Sequence, residues 1–364
     1  MVSDNLYYCE ECIMAKKLKV GVIGVGGIAH THFPGWRNSP DAEMVAFADI
    51  DPKILRREGK DQGIETLYDE DDDIINNPEI DIIDICTPNM FHRPLAVQAL
   101  LAGKHVICEK PLAPTPEDVR MMIEARDKSG KKLMTAQHFR FEAKSKSMKA
   151  AIDRGLLGSI YHARSWMLRR AAAPVKDTFV YKKNSGGGPC IDIGVHILDL
   201  TLWMMGHPKP ISVSGITQDK LIHQPGAFSV WGGDIPKDLD VEEFAAAFVR
   251  FENGATLILE VSWLLHHNTT GEDMRMWLYG DKGGALWPDN DILTTDNKIR
   301  QQFNTKLQLN PSSGEAHAAE CIAFADCVAH NKPVPVPPED SIPVIGILDA
   351  LYRSAKTGKE VTLA

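Results

Sequence analysis

Three apolar positions, Val20, Val22 and Ile23, run into a glycine cluster at residues 24–27, and polar residues resume soon after. Downstream, short apolar runs alternate with sets spaced for one face of a helix. Residues 44–48, 80–86, 105–108 and 132–136 read as strands. Between them, residues 91–104 place Leu95, Ala96, Ala99 and Leu100 on one helical face. The next helix opens with Thr115 as cap, Pro116 in the first turn, and Glu117 and Asp118 behind it. Met121, Met122, Ile123 and Ala125 supply its apolar face, and Gly130 follows its end. Strand–helix alternation of this kind predicts a doubly wound parallel sheet, with ligand at the carboxyl ends of its strands.

From about residue 140 the pattern changes. Residues 159–169, 211–218, 242–251, 255–263 and 274–278 are strand-like, and helical crossovers become scarce. Phe251-Glu252-Asn253-Gly254-Ala255 marks a hairpin between two of them. A large, mostly antiparallel open sheet is expected, with helices on one face. The other face, read as presenting Phe248, Leu257, Leu259 and Trp263, is expected to meet another subunit in a homodimer or homotetramer. Helices over 315–331 and 342–359 close the chain. The fold class is therefore α/β. The expected division is an N-terminal extension (1–15), a dinucleotide-binding Rossmann domain (16–138) and a substrate-binding and oligomerisation α+β domain (139–364).

Composition narrows the partners. A chain of 364 residues favours two domains over one core. The net charge of −9 argues against nucleic-acid or anionic-membrane partners. No apolar run approaches bilayer length and no signal pattern opens the chain, so a cytoplasmic location is expected. The seven cysteines are odd in number and thinly spread. Cys86 and Cys108 sit in apolar runs, and Cys9-x-x-Cys12 lacks a second ligand pair to complete a zinc site. No metal is expected.

Three segments carry chemistry. In Gly24-x-Gly26-Gly27-Ile28-Ala29, Gly24 makes the turn out of the strand and Gly26 lets backbone approach a pyrophosphate. Ala29 permits close helix packing. Asp49, ending the second strand, is placed to accept from a ribose 2′-OH and to repel a 2′-phosphate. NAD is therefore expected over NADP. Lys110, in Cys108-Glu109-Lys110-Pro111, follows a strand end; its ammonium could stabilise a developing alkoxide, or it is a solvated loop lysine. Gly186-Gly187-Gly188 leads into Asp192, His196 and Asp199 at i, i+4 and i+7, one face of one helix. Asp192 would then orient His196 as a general base; the alternative is a capped helix with a core histidine.

Together these segments resemble the glucose–fructose oxidoreductase / inositol dehydrogenase (Gfo/Idh/MocA) family from about Lys16 onward. The resemblance also rests on Cys86-Thr87-Pro88-Asn89 with His92 and on the closing residues 350–361. It implies an NAD(P)-dependent dehydrogenase acting on CH–OH groups of sugars, polyols or glycosides. The family's catalytic residues fall on Lys110, Asp192 and His196. Cofactor contacts fall on Gly24, Gly26, Gly27, Ile28, Asp49, Thr87, Pro88, Asn89, His92, Glu109 and Lys110, with Trp36 as an aromatic beside the cofactor. His138, Arg140, Arg169 and Tyr181 are candidate substrate residues. Two other functions share the fold: redox-cycling isomerisation or glycoside cleavage with bound NAD, and a non-catalytic NAD-binding regulator. Retention of Lys110, Asp192 and His196 together argues against the regulator.

Overall fold

The computed structural model describes residues 16–175, 178–309 and 315–363. The extension with Cys9 and Cys12 lies outside the described residues, as do Lys176 and Asp177.

Six short strands build the first sheet: β1 (Leu18–Ile23), β2 (Ala42–Ala48), β3 (Thr66–Tyr68), β4 (Ile82–Ile85), β5 (His105–Glu109) and β6 (Leu133–Ala136). All pairs are parallel, in the order β3-β2-β1-β4-β5-β6. Chain order reverses between β1 and β4, which opens a crevice at their carboxyl ends. Every residue of β4 and β6 is buried, as expected where helices cover both faces of a parallel sheet. Helix Pro116–Ser129 begins where the Thr115 hydroxyl accepts from the Asp118 N–H at 3.1 Å, and ends at Gly130 with φ +67°.

The rest of the chain supplies β7 (Ile160–Arg169), β8 (Pro210–Gln218), β9 (Phe228–Ser229), β10 (Gly233–Asp234), β11 (Phe244–Phe251), β12 (Thr256–Ser262), β13 (Glu272–Gly280), β14 (Gly284–Trp287), β15 (Asp291–Asp296), β16 (Gln301–Lys306) and β17 (Val361–Thr362). β9 and β10 form a small hairpin of their own. The others make a nine-stranded sheet, β16-β15-β14-β13-β7-β12-β11-β8-β17, antiparallel except between β7 and β12. The sequence reading stopped at residue 278 and missed β14 to β16. β16 is exposed along its whole length, so it carries no alternation to detect.

The open face of this sheet needs a correction. Leu257, Leu259 and Trp263 are fully buried on the side covered by helices Gly194–Met204 and Ser341–Thr357. Alternation along β12 puts Ile258 and Glu260 on the opposite side, where Arg164, Ile216 and Phe248 border a shallow hollow of about 690 Å³. Phe248 alone of the four expected residues lines that hollow.

Helix Ala316–Ala329 crosses back to the first sheet. Its Cys321, Phe324 and Ala325 share a core with Phe33 and Trp36 of helix Ala29–Asn38. The crossing is close: a Cβ on Gly35 would lie 2.6 Å from the Ala318 carbonyl oxygen, so only glycine fits. Among the described residues, no helix is long and apolar enough to cross a membrane.

Candidate active site

The glycine turn leaves β1 at Gly24, whose φ is +82°. A side chain there would also strike the Cys86 carbonyl at 2.9 Å. Gly26 and Gly27 have nothing within 4 Å of a would-be Cβ, so their backbone stands bare to a ligand. Asp49 closes the turn by accepting from the Val25 N–H at 3.0 Å and the Asp51 N–H at 2.8 Å. Burial, then the charges of Glu70, Asp49 and Asp72, push the nearby Asp71 carboxyl up, which marks this end of the crevice as acidic.

The crevice holds about 600 Å³ and runs from Gly27 and Ile28 past Thr87, Pro88 and Asn89 to Glu109, Lys110 and Asp192. Asn89 donates to the Ser185 carbonyl at 2.8 Å, tying the loop after β4 to the glycine run. His92 is fully buried. Its ring nitrogens lie 2.8 Å from the Thr87 and Pro111 carbonyl oxygens, so it braces two crevice loops and offers no surface to a cofactor. Trp36 is also corrected. It is 0% exposed, its indole donates to Asp84 at 2.7 Å, and it belongs to the core beneath the sheet.

Lys110 and Asp192 meet at the far end. The Lys110 ammonium donates to the Asp192 carbonyl at 3.1 Å and lies 3.6 Å from its carboxylate. The indole of Trp263 donates to the same carboxylate at 3.1 Å, and Arg169 Nη1 stands 3.8 Å away. The expected single helix is broken. Pro189–Asp192 and Gly194–Met204 are separate helices with Ile193 between them. The carboxylate of Asp192 is therefore engaged by Trp263, Lys110 and Arg169, while His196 Nδ1 has no hydrogen-bond partner among the described residues. Burial, then the cations Lys110 and Arg169 with His138 and His317, push His196 well below the usual imidazole value, so its ring is neutral.

His196 has ring neighbours instead of an acid. His138 lies edge-on at 5.0 Å and Phe139 at 5.2 Å. His138 in turn stacks on His317 at 3.7 Å with 19° between planes. His138, His317 and Glu320 each bring a ligating atom within 4.8 Å of the others. Stacked rings, however, send their in-plane lone pairs side by side and not toward one point. Burial pushes His317 down to about 4.

The glycine run has a packing reason. A Cβ at Gly187 would lie 2.0 Å from the Tyr352 hydroxyl, and one at Gly188 would lie 2.1 Å from the Glu242 carbonyl oxygen. The Glu242 carboxylate accepts from Gly188 N–H at 3.1 Å, Cys190 N–H at 3.2 Å and Tyr352 at 2.8 Å. These contacts fix the helix that ends at Asp192. Glu242 and Tyr352 were missed by the sequence reading, since each lies far along the chain in an ordinary strand or helix pattern.

A second group was missed for the same reason. His32 is 0% exposed, with Nδ1 at 3.0 Å from Asp84 and Nε2 at 2.9 Å from Glu109. Burial pushes this imidazole down, but Asp84 and the surrounding groups outweigh it and hold it well above its usual value. Burial likewise pushes Glu109 up, yet the His32 hydrogen bond and the His32 and Lys110 charges hold it at about 2. Glu109 also accepts from the Lys110 N–H at 3.0 Å, so this buried ion group seats the loop that carries Lys110.

Two candidate substrate residues lie elsewhere. Arg140 is buried and saturated by Asp199, at 2.6 and 2.8 Å, and Asp340, at 2.7 Å. Asp199 is thereby taken out of the face expected to hold Asp192. The Tyr181 hydroxyl donates to Asp238 at 3.1 Å, away from the crevice. Arg169 and His138 do reach the neighbourhood of Asp192 and His196.

Comparison with known proteins identifies the family. Residues 18–137 match the family model "Oxidoreductase family, NAD-binding Rossmann fold", and residues 145–286 match "GFO/IDH/MocA C-terminal domain". The D-glucoside 3-dehydrogenase of Escherichia coli (strain K12) is 32% identical, over 97% of this chain and all of that protein. The D-apiose dehydrogenase of Paraburkholderia graminis is 32% identical, over 96% of this chain and 90% of the relative. Among solved structures, the aldose-aldose oxidoreductase from Caulobacter crescentus complexed with glycerol superposes with a TM-score of 0.78. It is 25% identical and covers 96% of this chain and 100% of its own. A bare glycine turn backed by an acid, matched along nearly the full length to such relatives, places the chain in the GFO/IDH/MocA oxidoreductase family.

Proposed function

We propose that this chain oxidises a secondary hydroxyl of a sugar, polyol or glycoside with NAD as acceptor. The observation that carries the reading is the meeting of Lys110 and Asp192 at the end of the crevice, with neutral His196 beside them. The residues fit a dinucleotide: Gly24 turns the chain, Gly26 and Gly27 are bare, and the Asp49 carboxylate sits at the end of β2. Gly24, Gly26, Gly27, Ile28, Asp49, Thr87, Pro88, Asn89, Glu109 and Lys110 would hold it. Bound there, NAD would supply the hydride acceptor for oxidation of the carbinol carbon.

His196 takes the hydroxyl proton, because burial and neighbouring cations keep its ring neutral and ready. Lys110 donates to the same oxygen and stabilises negative charge as it grows. Asp192 acts as a positioning residue for Lys110, a different role from orienting His196. His138, edge-on to His196, and Arg169, beside Asp192, are the sugar contacts in this reading. Asp49, with acidic Asp71 beside it, favours a ribose 2′-OH over a 2′-phosphate, so NAD is preferred to NADP. The working division is a cofactor-binding part, 16–138, and a substrate-binding part, 139–364, with helix Ala316–Ala329 lent back to the first. The open sheet face, with Ile216, Phe248 and Ile258, serves as the contact of a homodimer or homotetramer.

A panel of sugars, polyols and glycosides with NAD, read as NADH absorbance, tests the reading. No NADH from any of them sinks it, and product without net NADH transfers the chain to redox-cycling chemistry. Tighter calorimetric binding of NADP than NAD reverses the cofactor assignment. Sedimentation as a monomer removes the sheet contact.

A further inference from the structure

The β9–β10 hairpin exposes three large apolar side chains within four residues. Phe228 is 54% exposed, Val230 64% and Trp231 50%. A lone exposed apolar side chain is ordinary, but a tryptophan clustered with two others at one tip marks a contact surface. The hairpin is held in place. Val230 N–H donates to the Ala171 carbonyl at 2.8 Å, and the buried Ser229 hydroxyl donates to the Ala173 carbonyl at 2.7 Å. Residues 171–173 continue directly from the end of β7, where Arg169 stands beside Asp192.

Arg169 makes the connection to the site. Its guanidinium carbon lies 4.3 Å from the Trp231 ring centroid, so it backs one face of the indole. Its Nε donates to Glu272 at 2.6 Å, and its Nη1, buried and without a hydrogen-bond partner among the described residues, stands 3.8 Å from Asp192. The indole is thus one guanidinium away from the carboxylate that holds Lys110, with half its surface still in water. On the flank of the hairpin, Phe228, Arg170 and His266 border a further hollow of about 330 Å³.

We propose that the hairpin forms a second subsite in which Trp231 stacks on the ring attached to the reacting sugar, so that the preferred substrates are glycosides and not free monosaccharides or polyols. A pyranose presents a face of C–H groups rimmed by hydroxyls, which suits an indole with polar neighbours at its edge. The inference rests on the dehydrogenase reading above and narrows its substrate class.

The test compares kcat/KM for glucose, methyl β-glucoside, cellobiose and 4-nitrophenyl β-glucoside with NAD, in wild type, Trp231→Ala and Trp231→Phe. Wild type is expected to prefer the two substrates with a second ring. Trp231→Ala is expected to lower the cellobiose-to-glucose ratio roughly tenfold, and Trp231→Phe to restore most of it. A wild-type ratio near one, or a ratio that Trp231→Ala leaves unaltered, overturns the subsite. A Trp231→Ala protein that sediments as a smaller assembly assigns the hairpin to a subunit contact and also overturns it. Should none of the four yield NADH, calorimetric titration of the NAD-loaded protein with cellobiose decides alone. Binding that depends on Trp231 keeps the subsite while the dehydrogenase reading falls; binding that ignores Trp231, or no binding, removes the subsite.

Discussion

Two buried histidines, His32 beside Glu109 and His196 within the field of Lys110, have been given opposite chemistry. His32 has a carboxylate on each nitrogen, Asp84 and Glu109, and is held as a cation. His196 has cations and rings for neighbours and an unpartnered Nδ1, and is held neutral. Burial alone pushes both rings the same way. The neighbours decide the charge, and the charge decides the task. His32 neutralises two acids under the cofactor crevice, whereas His196 is a base with room for one proton.

Removing each imidazole should therefore damage a different property. His196→Ala is expected to cut turnover roughly 100- to 10,000-fold in steady-state NADH assays, with NAD affinity nearly intact. Unchanged turnover would take His196 out of the mechanism. His32→Ala leaves Asp84 and Glu109 as uncompensated buried charges, and a loss of about 3–5 kcal/mol is expected in urea unfolding. His32→Gln keeps one donor and should recover part of that loss. If the His196 variant proved the less stable of the two, the contrast would be wrong.

Titration sharpens the same contrast. His196 must be neutral to work, and its value is depressed, so kcat/KM should rise with pH along a limb lying well below pH 6.5 and stay level above it. Stability carries both signs. His196, His138 and His317 resist protonation when folded, so their contribution is present above pH 6.5 and is lost as pH falls, for His317 by about pH 4. His32 is raised, so its contribution is full below pH 6.5 and is lost as pH climbs through its folded value. Unfolding curves taken across pH should show the alkaline loss in wild type and not in His32→Ala. The smallest effect concerns the cofactor. Asp49→Asn keeps one acceptor oxygen for the Val25 N–H but removes the charge, and should narrow the NAD-over-NADP affinity ratio by about tenfold in calorimetry.

What could be read from the sequence is what is local. The turn at Gly24, the strands before and after it, the cap at Thr115 and the loop at Lys110 each announce themselves within a dozen residues. The His32 group could not be read this way. It joins four separate elements through His32, Asp84, Glu109 and Glu320, and no two of these are near one another in the chain. Glu242 and Tyr352 are hidden likewise, being defined by what a Cβ on Gly187 or Gly188 would strike. The error at Leu257 and Leu259 was one of phase. The two-residue period was seen, but the sequence does not say which face the helices cover. The break at Ile193 is marked only by Gly194, which a helix also tolerates in its interior, so the i, i+4, i+7 spacing of Asp192, His196 and Asp199 concealed it.

The crossing at Gly35 and Ala318 has a consequence for how the molecule is made. The helix that seals Phe33 and Trp36 leaves the ribosome long after they do, so the nucleotide half must wait with that flank bare. A fragment ending after β6 would expose the same surface permanently and be prone to clump. In this architecture a later segment of the polypeptide acts as the missing wall of an earlier one.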